Sequence, residues 1–358
     1  MVHAAGIGRY ARELVRALVQ LDAPPELALF EWGRAPRVMH EPALGVLGAR
    51  PPVQRRVSHL PRRWLPVAAR CGFRADRWLG GVDVFHHVRP EFLPIASARQ
   101  TMAISELPPP GSPAEKELRR KVSALDAVLV FSSAYRDRVC STFGVASARV
   151  HRVPVGCDHW RRELAALPPP AEPARVLVLG ALRSQRSPVA VLRGFEALAR
   201  AGFEAELVWV GRNGDAAEPF ERARAASPVR ERVRSVAELS ERELAAEVAS
   251  ATVLVHLSSD EGTAVTPLEA LSLGPAVVAS RLPAFEESLA NHAIWVDTAE
   301  MIREPARLAD ALALGLAHGA DPRLRDERRH FAARFRWLAA AQATVDVWRT
   351  LFEAPRGG

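Results

Sequence analysis

Two glutamates, Glu261 and Glu269, stand eight positions apart in LSSDEGTAVTPLEALSLG (257–274), around Gly262 and Pro267. An apolar run precedes them, so both carboxylates fall at the C-terminal end of a strand. In open α/β sheets that edge is where ligands bind. Pro267 suits the first turn of a helix and Thr266 its N-cap. Glu269 then takes the third helical position, so Thr266 and Glu269 equally spell a capping box worth about 1 kcal/mol. Glu261 has no such duty. It sits on a loop beside the helix N-terminus, whose free N–H groups and positive dipole end favour a phosphate. A carboxylate there is an acceptor for the hydroxyls of a sugar.

A second constellation is VLGALRSQRSPVAVLRGFEAL (178–198). A strand ends in Gly180, a loop carries Arg183 and Arg186, and a helix follows. Two guanidinium groups at such an edge can clamp a diphosphate, because their geometry matches phosphate oxygens bidentately. Surface arginines in an arginine-rich chain are the competing reading. The third is AAGIGRYARELVRAL (4–18), where Gly6 and Gly8 would let backbone approach a ligand at a helix N-terminus. Any tight turn could use the same pair.

These residues need a frame of strands and helices. DVFHHV (83–88), TMAIS (101–105) and AVLVFSS (127–133) read as strands, followed by RVLVLG (175–180), AELVWVG (205–211), VRSV (233–236), TVLVHLSS (252–259) and PAVVAS (275–280). They are almost wholly apolar, as expected of a parallel sheet covered on both faces. Helical patterns alternate with them, the signature of α/β layering. Leu14, Leu18 and Leu21 form one stripe, and Ser240 with Glu243 opens another helix as a capping box. The proline-rich LPPPAEPA (167–174) divides the chain near residue 170. The glycine turn at 6–8 should follow a central strand, yet only MVHA is available. The expectation is that this first strand is missing or lies upstream.

The chain has 358 residues, a hydrophobic content of 48% and a net charge of +7. That suggests about two domains with ample cores. No apolar run is long enough for a membrane helix and no N-terminal signal is evident. The three scattered cysteines, Cys71, Cys140 and Cys157, make neither a disulfide framework nor a metal set, which fits a reducing cytoplasm. The basic charge, nearly all arginine, favours anionic partners or records coding bias. Segment 55–78 mixes arginine with Trp64, Leu65, Phe73 and Trp78. It reads as a surface for acidic lipid on the inner face of a membrane, or as an ordinary helix with a wet arginine face. No nucleic-acid module is present.

The motifs together resemble the retaining GT-B glycosyltransferases of glycosyltransferase family 4, especially bacterial mannosyl- and rhamnosyltransferase-like members. GIGRYARELVRAL looks like the family's N-terminal glycine loop, and VDVFHH and TMAISEL like its first-domain strands. VHRVPVGCD (150–158) is similar to the segment before its second domain, and VLGALRSQRSP to its phosphate loop. EGTAVTPLEALSLGPAVVAS resembles its E-x7-E signature, and ARFRWLAAAQATVDVWRTL (333–351) its closing helix.

The resemblance implies two Rossmann-like domains facing across a cleft: residues 1–166 on the acceptor side, 167–335 binding the nucleotide sugar, and a helix at 336–358 crossing back. It implies that Glu261 binds the donor sugar and Glu269 the ribose. Arg183 and Arg186 would hold the diphosphate, with Gly180, Gly262, Thr263, Ala264 and Thr266 around the donor and Gly6 and Gly8 closing over the phosphates. The implied reaction is metal-independent hexosyl transfer, without cofactor, from a nucleotide sugar to a glycan, lipid-linked or small-molecule acceptor. The sequence departs from the family at four places. Arg186 stands for the usual lysine, Ala264 for a glycine, Ser105-Glu106 for His-Asp, and Val155 for an asparagine near the linker. Ser105, Glu106 and His86 are therefore the first-domain site candidates, and a non-catalytic GT-B scaffold or partner protein, or a peripheral membrane protein, is the alternative.

Overall fold

The computed structural model describes residues 6–32, 53–58, 64–88, 90 and 93–354. The chain forms two compact units, Met1–Val155 with Trp337–Gly358, and Gly156–Arg336. The break lies at Val155/Gly156, ahead of the proline-rich segment.

The first unit contains a two-stranded parallel ribbon, β1 (Ala28–Trp32) and β2 (Gln54–Ser58). Its main sheet is parallel, in the order β3 (Val84–His87), β4 (Arg99–Ala103), β5 (Ala127–Val130) and β6 (Val150–Arg152). Helices Pro113–Ala124 and Ser133–Phe143 cover it, burying Leu118, Val122, Tyr135 and Val139 against Met102, Val128 and Val130. The leucine stripe of helix Ile7–Leu18 is buried as expected, with Leu14 and Leu18 inside and Leu21 just beyond the helix. The C-terminal helix Trp337–Glu353 packs on it, and the rings of Tyr10 and Trp337 lie 6.0 Å apart. MVHA lies outside the described residues. Most of 55–78 is described: it holds the end of β2 and two short helices, Leu65–Arg70 and Ala75–Trp78. Trp64, Val67 and Trp78 are exposed there.

The second unit is built on a six-stranded parallel sheet. Its strands are β7 (Ala174–Leu179), β8 (Ala205–Val210), β9 (Val233–Val236), β10 (Val253–His256), β11 (Ala276–Ser280) and β12 (Ile294–Val296). They lie in the order β12-β11-β10-β7-β8-β9. The chain therefore runs outward from β7 on one side and restarts at β10 on the other. That reversal is the topological switch point of a doubly wound sheet, and the loops leaving β7 and β10 meet there. The interior of the sheet is apolar on both faces, with Val176, Leu177, Val178, Leu254 and Val255 all buried. Each such side chain contributes about 1.5–3 kcal/mol by leaving water. The capping box of helix Glu241–Ser250 forms as expected, with Ser240 and Glu243 bonding each other's backbone N–H.

Among the described residues, no helix is long and apolar enough to cross a membrane. All the strands expected from the sequence are present, with ends shifted by up to three residues. β4 starts at Arg99 rather than Thr101 because its pairing with β3 extends in that direction.

Candidate functional site

The switch point carries the expected arginine loop and glutamate together. β7 runs into Gly180, whose φ of 126° is open chiefly to glycine. The chain passes close to the neighbouring strand here. A Cβ on Gly211, after β8, would stand 2.0 Å from the Gly180 carbonyl oxygen. The Gly180 carbonyl in turn accepts from the buried Trp209 indole at 2.8 Å. The loop then forms a short 3-10 turn, Ser184–Arg186, held by Asp215, which accepts from the Ser184 backbone N–H at 3.1 Å and its hydroxyl at 2.5 Å. Helix Pro188–Arg200 follows directly. Ser187 at its start is left-handed, and no side chain caps the helix.

Arg186 is drawn inward by two partners. Its Nη2 lies 2.5 Å from Glu261 Oε1, and its Nη1 lies 2.6 Å from His256 Nε2. The Glu261 contact is an ion pair without hydrogen-bond alignment, since Oε1 has no hydrogen-bond partner. Glu261 Oε2 is 3.2 Å from the same His256 nitrogen. Arg183 is exposed, and its charge reaches Asp215. Gln185 ties the two loops together by donating to the Ser258 hydroxyl at 3.3 Å and the Asp260 carbonyl at 2.6 Å.

The electrostatics follow from these contacts. Burial pushes the Glu261 carboxyl up, but its neighbour His256, the Arg186 charge and hydrogen bonds from His256 and Ser258 outweigh it. The net effect holds Glu261 below the usual carboxylate range and ionised at neutral pH. Burial and the Arg186 charge press His256 down against the pull of Glu261, so its ring is neutral there.

Helix Val265–Leu273 corrects one expectation. Its N-cap is Ala264, not Thr266, and no side chain caps it. The capping box between Thr266 and Glu269 is therefore absent. The helix begins two residues earlier because Pro267 is tolerated anywhere in a first turn, where N–H groups lack intrahelical partners. Gly262 and Ala264 are buried, Thr266 is half-buried, and the Thr263 hydroxyl is buried without a hydrogen-bond partner. Glu269 is fully buried, its carboxylate 3.2 Å from His159 Nε2, and His159 is buried as well. The sequence thus offers two uncapped helix N-termini, and neither first turn holds an acidic residue to compete with an anion.

The first-unit candidates are placed separately. His86, in β3, has its Nδ1 2.9 Å from the Thr101 hydroxyl, and burial lowers it to about 4. Its ring stacks loosely between Tyr10, at 6.3 Å, and Trp348, at 5.7 Å. Ser105 is half-buried and Glu106 exposed on the loop after β4. Gly6 is exposed with φ 70° and precedes helix Ile7–Leu18, whereas Gly8 is buried inside that helix.

Four residues of the second-unit cluster escaped the sequence reading: His256, Gln185, Ser258 and His159. His256 carried a signal, as the one polar side chain at the end of the apolar run TVLVHL. Gln185 and His159 carried none, since their partners are remote in sequence. Among the described residues, no group of three or more His, Cys, Asp or Glu side chains is arranged to hold a metal ion.

The model of the family Glycosyl transferases group 1 matches residues 161–325, inside the second unit. Over 225 residues the chain is 27% identical to glycogen synthase of Mycobacterium tuberculosis, covering 62% of this chain and 54% of that protein. It thus spans about half the length of the curated relatives it matches. Sucrose-phosphate synthase from Thermosynechococcus elongatus superposes with a TM-score of 0.68 at 19% identity, over 98% of this chain and 95% of that one. The alpha,alpha-trehalose-phosphate synthase (UDP-forming) from Burkholderia vietnamiensis gives 0.55 at 16% identity, over 71% and 68%. The fold is of the GT-B class, with two Rossmann-like α/β units.

Proposed function

We propose that this protein is a retaining glycosyltransferase. It moves a hexosyl group, mannose- or rhamnose-like, from a nucleoside-diphosphate sugar to a glycan, lipid-linked or small-molecule acceptor. The observation that carries the reading is the meeting of Arg186, Glu261 and two uncapped helix N-termini at the switch point of the second unit. The group 1 family match and the likeness to enzymes that join sugars support it.

The diphosphate lies against Arg186, with exposed Arg183 at the rim and helix amides beneath. As the bond from the anomeric carbon to the phosphate oxygen breaks, negative charge builds on the leaving diphosphate. The guanidinium fork and helix dipoles are already aimed at that charge, so no metal is required. Glu261, ionised at neutral pH, accepts hydrogen bonds from the sugar hydroxyls. The acceptor oxygen adds on the face that the diphosphate leaves, and the departing phosphate takes its proton, which preserves the anomeric configuration. Glu269 serves the ribose end of the donor from behind, through the helix it stiffens with His159.

A thermal-shift screen of UDP-, GDP- and dTDP-sugars tests the reading. At least one donor should raise the melting temperature and be hydrolysed slowly to its nucleoside diphosphate. No shift with any of them would overturn it.

A further inference from the structure

His256 ends β10, is almost fully buried, and belongs to none of the motifs that mark the site. It stands beside both the cation and the carboxylate. Arg186 Nη1 lies 2.6 Å from Nε2 and 3.4 Å from Nδ1 of its ring. A group on the Nε2 lone pair would lie in the ring plane, with the ring between it and Nδ1, and so much farther from Nδ1. The guanidinium therefore rests over the ring face, as arginine does on aromatic surfaces. That leaves the in-plane direction at Nε2 to Glu261, whose Oε2 is 3.2 Å away. An ionised carboxylate only accepts, so Nε2 carries the proton and donates it. A neutral ring with its one proton on Nε2 satisfies both contacts at once. The fully buried Phe285 packs against the imidazole, ring centroids 5.5 Å apart, and limits its rotation.

The two oxygens of Glu261 are consequently unlike. Oε2 is tethered to His256. Oε1 is buried, has no hydrogen bond, and faces Arg186 Nη2 at 2.5 Å. Once a diphosphate draws Arg186 away, Oε1 is a buried acceptor without a partner, which is unfavourable until a hydroxyl reaches it. We propose that His256 is a positioning residue that anchors Oε2 of Glu261 and so aims Oε1 as the oxygen that accepts the hydroxyl of the transferred sugar. Ser258 also donates to the carboxylate, so loss of the histidine should loosen Glu261 without expelling it. The inference rests on the proposed nucleotide-sugar site. It goes beyond that reading by naming the sugar-binding oxygen and the residue that aims it.

The test uses the full chain. Calorimetry measures binding of UDP, GDP and dTDP, and hydrolysis of the UDP-, GDP- and dTDP-sugars gives the rate. A free diphosphate has no sugar to meet Oε1, so its affinity in His256→Leu should stay within about threefold of wild type. Hydrolysis of the nucleotide sugar should fall roughly tenfold, as expected for one lost hydrogen bond to a charged group. His256→Gln keeps an N–H at the reach of Nε2 and should recover most of that loss. In a Glu261→Ala background nothing remains to be aimed, so adding His256→Leu should slow hydrolysis less than about twofold further. If His256→Leu does not fold, His256→Asn replaces it with the same expectations, since its amide matches Nδ1 rather than Nε2. With diphosphate binding intact in wild type, three results would each overturn the inference alone. They are wild-type hydrolysis in His256→Leu, diphosphate affinity lost in step with hydrolysis, and a full tenfold loss on top of Glu261→Ala. Failure of UDP, GDP and dTDP all to bind the wild-type protein overturns the nucleotide-sugar site and the inference with it.

Discussion

Glu261→Gln should tighten the binding of a nucleoside diphosphate while slowing transfer. In the structure Arg186 is not waiting free for a ligand, because Glu261 Oε1 stands 2.5 Å from its Nη2. A diphosphate must displace that carboxylate. The two side chains are 20% and 14% exposed, and the contact lacks hydrogen-bond alignment, so the pair resembles a partly screened ion pair. Such a pair is worth about 1 kcal/mol. Removing the charge while keeping the shape should therefore improve the dissociation constant for the diphosphate by about fivefold. Transfer depends on a different duty of the same residue. A charged acceptor for sugar hydroxyls contributes about 1.5–3 kcal/mol, so turnover should fall by roughly 10- to 150-fold. Calorimetry with UDP, GDP and dTDP, beside transfer or donor hydrolysis, reads both effects. If Glu261→Gln weakens the diphosphate as much as Arg186→Ala does, the reasoning is refuted: Glu261 would then be supporting the arginine rather than competing for it.

Further outcomes follow from the same geometry. Arg186→Ala should weaken a nucleoside diphosphate by roughly 10- to 100-fold while leaving the free nucleoside unchanged, and exposed Arg183→Ala should do the same more weakly; calorimetry with both ligands separates the effects. Gly211→Ala should destabilise the second unit by roughly 1–3 kcal/mol in denaturant melts, since its Cβ would press on the Gly180 carbonyl from 2.0 Å. Lys121 is buried, with its Nζ 2.8 Å from His87 Nε2, and burial lowers its pKa from 10.5 to about 8. The unfolded chain then holds more protons than the folded one between those values, so this group makes stability rise as pH increases from about 8 to 10.5. Lys121→Met should flatten that part of the stability curve, and equal slopes in both proteins would count against the burial.

Much of the second unit was legible because a parallel sheet writes itself as apolar runs, and β8, β9, β10 and β11 fall within the segments read as strands. The arginine loop and Glu261 were legible for a related reason: charged residues directly after such runs stand at the ligand-binding edge. What the sequence hid was pairing. The contact of Arg186 with Glu261 spans 75 positions between two loops, and only the strand order β12-β11-β10-β7-β8-β9 brings them together. The helix containing Glu269 was misread at its start because Thr266 and Pro267 are good capping residues locally. Burial of the whole segment from Pro267 to Leu273 against the sheet and its neighbours overrides that preference. Glu269 consequently meets His159 from a distant helix instead of its own N-terminus. In the first unit the aromatic cluster of Tyr10, His86 and Trp348 joins the two ends of the chain, which no local pattern announces.

A structure of the protein with a bound nucleoside diphosphate tests the central claim most directly. The diphosphate oxygens should lie on the Arg186 guanidinium and on the N-terminal amides of helices Pro188–Arg200 and Val265–Leu273, with Arg186 parted from Glu261. Density for the diphosphate anywhere else, with the Arg186–Glu261 contact intact, would contradict it.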